Sequence, residues 1–438
     1  MTDAGSKTQF DLDISGVAGF FGGDVSVSAM ATVHIYEGRK WLGWYNQPGS
    51  YEIAKRYGQL SRSRFWDALY PGDNVDPAVL FEYDGGDGPK FTATQSGTVL
   101  QKTCHVANLF AHKCKNLSPI LPPKGVEKRV TTPGFVTIAK LDHIPETNNI
   151  TRRKGVFTSI LATIPIITSL GACAGCAFIR DWYCFAIILF GVISSGLSCF
   201  VIGLGTLRFK HPAEARGAPP GDGVLESDGS ELVIVKGPEG AINAITRGRF
   251  SLDYPSKPKY HSIGVCSMLL TLQFIVQLLL IPQSSLHGQL FFLATLACAW
   301  AYNSYLASFD RAGIQCAILS DQVLGLKEGQ LKRYQLGTRT SMVTFALLLL
   351  APAREDALTR VLNDLLPNDT EVWRVWKSEV LARIAVHFPL EGPESDREFS
   401  FGFPEKTPPP DSDCPDDLLQ TIYNDATSGA AVYNFYRR

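Results

Sequence analysis

Four stretches of the 438-residue chain lack Asp, Glu, Lys and Arg entirely: 155–179, 182–207, 262–282 and 289–309. Each reaches the roughly 20 residues that a helix rising about 1.5 Å per residue needs to cross a hydrocarbon layer about 30 Å thick. Buried helices of a water-soluble protein keep polar positions toward solvent, so four uncharged ones argue for lipid around them. Net charge is nearly absent as well: 41 Lys and Arg stand against 42 Asp and Glu, which excludes the basic field of a general nucleic-acid binder. The start, "MTDAGSKTQFDLD", has no basic run leading into an apolar core. No cleavable signal peptide is expected, and insertion falls to the internal segments.

Catalytic signatures are missing too. The chain has no G-x-S-x-G, no H-E-x-x-H, no dinucleotide fingerprint, and no phosphate loop, since Gly237 and Gly240 are not followed by Lys-Ser/Thr. No catalytic residue and no cofactor is therefore expected. Ionisable groups are absent from all four apolar stretches, where ion-coupled carriers usually place one. Six of the ten cysteines (Cys173, Cys176, Cys184, Cys199, Cys266 and Cys298) sit inside apolar runs, unlike the loop cysteines of a secreted disulfide framework.

What the sequence does hold sets a topology. Arg152, Arg153 and Lys154 directly precede the first apolar stretch; 208–261 carries eight Lys or Arg, and 309–340 carries five. The connection at 180–181 holds only Arg180 beside Asp181, and 283–288 holds neither Lys nor Arg. The positive-inside rule puts the N-terminus, the long central loop and the region after the fourth stretch in the cytoplasm. The expected fold is mainly α in the membrane, with transmembrane helices at 155–179, 183–207, 262–282 and 289–309 arranged as two hairpins. A mixed α+β cytoplasmic N-terminal region (1–151), a cytoplasmic loop (208–261) and amphipathic C-terminal helices (354–388) complete it. A fifth apolar run, 341–353, is short for a crossing and typical of a half-inserted, interfacial or protein-buried helix, with an interfacial or half-inserted placement expected. The acidic, Pro-rich tail, 389–438, is expected to be mostly disordered.

Small residues inside the helices read as packing surfaces, because helices in lipid associate by close approach. Gly171 and Gly175 form a G-x-x-x-G pair around "GACAGCAF", and Gly191 and Gly196 repeat the chemistry in the second helix. A redox reading of Cys173 and Cys176 fails, since a thiolate is penalised in hydrocarbon. Pro165 is expected to kink the first helix, with Thr163 and Thr168 meeting the freed backbone. Gln273 and Gln277, one turn apart in the third helix, are expected to hydrogen-bond across helices or to line a substrate path.

In the N-terminal region, "VSVSAMATVHIY" (25–36) alternates with period two and predicts a strand. Cys104, His105, His112 and Cys114 have zinc-ligand chemistry, but their spacing fits no standard zinc module, so an ordinary Cys- and His-bearing helix or turn is preferred. "ELVIVKG" predicts a strand and "PEGAINAITRGRF" a short helix. Arg247, Arg249, Lys257 and Lys259 are candidate contacts for anionic lipid at the cytoplasmic face. Ala357, Leu358, Val361, Leu362 and Leu365 form one helical stripe. Val372, Trp373, Trp376, Val380, Ile384 and Phe388 form a second, suited to the inner leaflet or to packing on the N-terminal region.

"AINAITRGRF", "FDRAGIQCAILSDQVLG" and "LLPNDTEVWRVWK", which together span much of 241–377, resemble multi-pass membrane proteins of basidiomycete fungi that have no assigned activity. The resemblance implies an intact integral membrane protein and carries over no site residues. The leading expectation for function is a membrane-anchored cytoplasmic scaffold or adaptor. The alternative is a channel, lipid-handling or transport protein using the bundle interior near Gln273 and Gln277. The expected surroundings are the lipid bilayer and a second copy or another membrane protein, with no nucleic acid.

Overall fold

A computed structural model describes residues 21–73, 75–122, 126, 129–351, 353–388, 398–403 and 415–438. The chain divides into two compact units. Unit 1 takes in the chain up to Gly85, then Asn149–Arg208 and Phe250–Arg311; unit 2 takes in Gly86–Asn148, Phe209–Arg249 and Ala312–Arg438.

Unit 1 is helical. Its elements include α1 (Gly23–Met30), α2 (Ser50–Leu60), α3 (Val156–Phe178), α4 (Trp182–Ile202), α5 (His261–Leu280) and α6 (Leu286–Ala307). The last four arise from the charge-free stretches and are long and apolar enough to cross a membrane. The helix α3 packs on α4 and α6, and α4 also packs on α5. Asp181 ties the short turns together. Its Oδ1 accepts from the Cys184 amide at 3.1 Å, capping α4, and its Oδ2 accepts from Ser285 N and Oγ, each at 2.7 Å. Pro165 lies inside α3, where the Thr163 and Thr168 hydroxyls donate to the carbonyls of Ile160 and Ile164.

The exposed faces of these helices are apolar: Ile160, Ile164 and Ile167 on α3, and Val265, Leu272 and Leu279 on α5. Their buried faces mix apolar side chains such as Ile187, Ile188 and Phe292 with polar ones: Thr158 and Ser169 on α3, Ser194, Ser195 and Ser198 on α4, Gln273 and Gln277 on α5, and Thr295 and Asn303 on α6. A helix on a water-soluble protein turns the other way.

The segment 25–36 is helical, not a strand. It forms α1 and the turn Thr32–Ile35. The alternating pattern loses to packing, since α1 lies along α6 with Ser26 accepting from Asn303 Nδ2 at 3.0 Å. At its end His34 is buried, with Nδ1 3.4 Å from the Gly205 carbonyl and Nε2 3.4 Å from the Tyr254 hydroxyl. Burial first, with Arg152 adding repulsion, pushes its pKa down to about 3 against the Gly205 bond, so the ring is neutral in the fold. Unfolding therefore takes up a proton below the unfolded value near 6.5, and stability falls by about 1.4 kcal/mol per pH unit until about pH 3. Thermal denaturation of the full chain in detergent is expected to lose less stability from pH 7 to pH 5 in His34→Leu than in the parent, by about 2 kcal/mol.

Unit 2 carries a six-stranded mixed sheet built from β1 (Lys90–Ala93), β2 (Val99–Leu100), β3 (Gly134–Lys140), β4 (Gly223–Asp228), β5 (Glu231–Lys236) and β6 (Leu331–Leu336). The order is β2-β1-β4-β5-β3-β6, with β3 and β5 parallel and the other neighbours antiparallel. "ELVIVKG" is thus the strand β5, and "PEGAINAITRGRF" supplies the helix Glu239–Thr246.

The fifth apolar run forms the helix Arg339–Leu350. Every residue from Thr340 to Leu350 is buried. This helix is the centre of a protein core, so the interfacial or half-inserted placement does not describe it. The sheet, Glu355–Leu365 and a C-terminal helix, Pro415–Arg437, all pack on it. That last helix corrects the expectation for part of the tail; 389–397 and 404–414 lie outside the described residues. Glu371–His387 joins the same core instead of presenting its stripe to a leaflet: Trp376 is fully buried and donates Nε1–H to the Ile422 carbonyl at 3.1 Å.

Candidate functional site

Between α1 and α2 the chain does something no element label conveys. Residues 41–51, "WLGWYNQPGSY", contain no charged side chain. Tyr36 pairs with Arg153, just before α3, and Ser61 lies against Tyr260, just before α5. From these neighbouring points the intervening segment enters the helices and returns. Glycines let it fit: a Cβ on Gly43 would stand 2.2 Å from Cys199 Cβ, and one on Gly196 would stand 2.3 Å from the Trp44 ring. Gly49, at φ +70°, turns the backbone into α2, a conformation that suits glycine.

Asn46 is the focus of the insert. Its amide N–H donates to Ser169 Oγ of α3 at 3.0 Å, and its Nδ2 donates to Thr295 Oγ1 of α6 at 2.9 Å. Its Oδ1 and Gln273 Nε2 of α5 both lie within 3.2 Å of the point where a Cβ on Gly191 of α4 would sit. The helices α3, α4 and α6 each face Asn46 through a residue in their own middle third, and Gln273, in the middle third of α5, lies beside the same Gly191 position. Around it, Ser195 Oγ stands 2.9 Å from both the Gly43 carbonyl and Gln47 Oε1, and Ser50 donates to Gln277 Oε1 at 3.4 Å. The Tyr45 hydroxyl donates to Asn303 Oδ1 at 2.8 Å.

Several polar atoms at this centre have no partner among the described residues. They are Asn46 Oδ1, Gln47 Nε2, both ends of the Gln273 amide and Gln277 Nε2. Each residue is at most 3% exposed. An unmet buried amide costs about 1–3 kcal/mol, so such a cluster needs an explanation beyond packing.

One formal charge borders the centre. Arg39 is buried, donates Nη1–H to the Leu42 carbonyl at 3.2 Å, and lies over the Tyr302 ring at 5.3 Å. No carboxylate pairs with it among the described residues.

The glycines of the packing expectation separate here. Gly191 and Gly196 face the insert, and a Cβ on Gly175 would stand 3.1 Å from the Phe291 ring of α6. Gly171 has nothing within 4 Å and sits on the outward face of α3, so the G-x-x-x-G pair is not one seam. Cys173 and Cys176 pack against Cys184 and its neighbours as small apolar residues.

The Cys104, His105, His112 and Cys114 set is dispersed on the helix His105–Lys115. Cys104 Sγ donates to the Ile245 carbonyl, His105 Nε2 meets Gln315 Oε1 at 2.9 Å, and His112 Nδ1 meets Asn116. Cys114 faces the core, where burial pushes its thiol pKa up. Among the described residues no three His, Cys, Asp or Glu converge as a metal site would need.

No protein family, curated protein or solved structure matches the chain. Gln273 and Gln277 were legible as unusual from the sequence. Asn46, Gln47 and Arg39 were not, although the uncharged, aromatic-rich run 41–51 was a signal for them.

Proposed function

We propose that this is a polytopic integral membrane protein in which Arg39–Leu60 is a re-entrant insert, and that the amides around Asn46 bind and pass a small neutral polar solute. The observation that carries the reading is the set of partnerless buried amide atoms where the insert and four helices converge. Irregular backbone at membrane depth is tolerated where protein buries it or a polar cavity receives it. Apolar outward faces and partly polar inward faces fit helices standing in lipid. The basic loops set both ends of the insert on the cytoplasmic side, in two hairpins with the N-terminus inside. Arg39, a cation without a carboxylate, repels cations from the same centre and favours an uncharged solute.

The full chain in phosphatidylcholine vesicles tests this by stopped-flow light scattering under urea and glycerol gradients. Entry of one of them faster than into protein-free vesicles is expected, and Asn46→Leu is expected to remove the excess. Equal rates for parent and protein-free vesicles contradict the reading. The separate core of unit 2 favours a second reading, a membrane-anchored scaffold. That one gains if flux is absent and unit 2 retains a partner when the chain is captured from native membranes.

A further inference from the structure

Where the insert begins, an open recess of about 460 Å³ is lined by Glu37, Gly38, Lys40, Trp41, Thr151 and Arg152. Two of these side chains are cations with donors to spare. Arg152 uses Nη2 to cap the end of α4, donating to the carbonyls of Gly203 and Gly205 at 2.9 Å each. Those bonds fix the guanidinium in place, and its Nε and Nη1 make no hydrogen bond among the described residues. Lys40 makes no ion pair among the described residues. Its stem presses on Gly203, where a Cβ would stand 2.3 Å from Lys40 Cβ, and its Nζ lies 5.6 Å from the Trp41 ring and 5.7 Å from the Phe200 ring. Glu37 is the single acid of the lining among the described residues.

The surroundings are those of a membrane boundary. Trp41 is 56% exposed and packs on Phe200, two residues before the end of α4, with ring centroids 4.8 Å apart. Aromatic side chains at helix ends mark the headgroup level of a bilayer. From Arg152 the chain runs through Arg153 and Lys154 into Val156 and Phe157, both strongly exposed apolar residues at the start of α3. A cationic recess thus adjoins an apolar surface. Free inorganic phosphate would use only the first of these features.

We infer that this recess binds the phosphodiester of an anionic phospholipid, with Lys40 and Arg152 on the phosphate and acyl chains along the exposed apolar residues of α3. The site is distinct from the Gly49-to-Asn46 interior and from Arg247, Arg249, Lys257 and Lys259. It rests on the helices lying in lipid and not on solute passage, so loss of flux leaves it standing.

Native mass spectrometry of the detergent-purified full chain, offered phosphatidylserine and phosphatidylcholine at equal concentration, tests it. The expected result is a phosphatidylserine preference that drops about fivefold in Lys40→Gln, the effect of one interfacial charge. Lys40→Arg is expected to keep the preference, as is Lys55→Gln, a charge loss elsewhere in unit 1. An unchanged melting temperature of Lys40→Gln shows that the loss is local. Equal adducts for the two lipids, a preference that survives Lys40→Gln, or displacement of the lipid by millimolar inorganic phosphate overturns the inference.

Discussion

Replacing Gln273 and Gln277 together by Leu is expected to bring solute entry into vesicles down to the protein-free rate while leaving the melting temperature unchanged or raised. The two effects point in opposite directions for a physical reason. Three of the four amide atoms on these residues have no partner among the described residues, and the fourth accepts only a long 3.4 Å bond from Ser50. Removing a buried polar group that is not hydrogen-bonded, at nearly constant volume, relieves a desolvation cost of about 1–3 kcal/mol per group. If the glutamines served as structural glue between helices, the same change would break bonds and destabilise by about 1 kcal/mol or more. Flux and melting temperature measured on one preparation therefore separate a ligand-facing amide pair from a packing one. A variant that melts lower and passes solute at the parental rate sinks the first interpretation.

Gly196→Leu is expected to cost about 3 kcal/mol or more, whereas Gly171→Leu is expected to stay within about 0.5 kcal/mol of the parent. Both glycines lie in apolar helices and look alike in the sequence. At Gly196 a Cβ would stand 2.3 Å from Cε3 of Trp44 and 2.4 Å from Cδ2. The indole is held there by the chain running from Arg39 to Asn46, so it cannot yield without withdrawing the insert. Gly171 faces outward into open space, where a leucine adds only another apolar side chain to a surface already lined by Ile164 and Ile167. Thermal unfolding of the two variants in detergent checks the contrast. Tolerance of Gly196→Leu to the same degree as Gly171→Leu would mean that Trp44, and the insert with it, does not lie against α4.

The parts legible in the sequence were those set by local composition. Absence of charge over 20 or more residues located α3, α5 and α6 to within about three residues of their ends, because a continuous apolar run leaves few other conformations open; the second span, expected over 183–207, stops at Ile202, and Thr206–Lys210 is a strand. Periodicity served well at Glu355–Leu365, where Ala357, Leu358, Val361, Leu362 and Leu365 are the buried face. It failed at 25–36, where Val25, Val27 and Val33 alternate with small residues and imitate a strand. The hydrogen bond of Ser26 with Asn303, 277 residues away, belongs to the fold and not to the pattern. The run 341–353 was misplaced for a related reason: a short helix apolar on every side suits a leaflet or a protein interior equally, and only the sheet and Pro415–Arg437 decide. Asn46 was hidden more deeply. Its neighbours Ser169, Gly191, Gln273 and Thr295 come from four helices spread over more than 120 residues, and nothing in any one of them signals the others.

All of this depends on α3 to α6 standing in lipid, and alkaline carbonate washing of native membranes holding the full chain, followed by flotation, addresses that dependence. The expected result is that the chain stays with the floating membrane and enters solution only with detergent. Release into the carbonate supernatant, followed by monodisperse behaviour in detergent-free buffer, contradicts it.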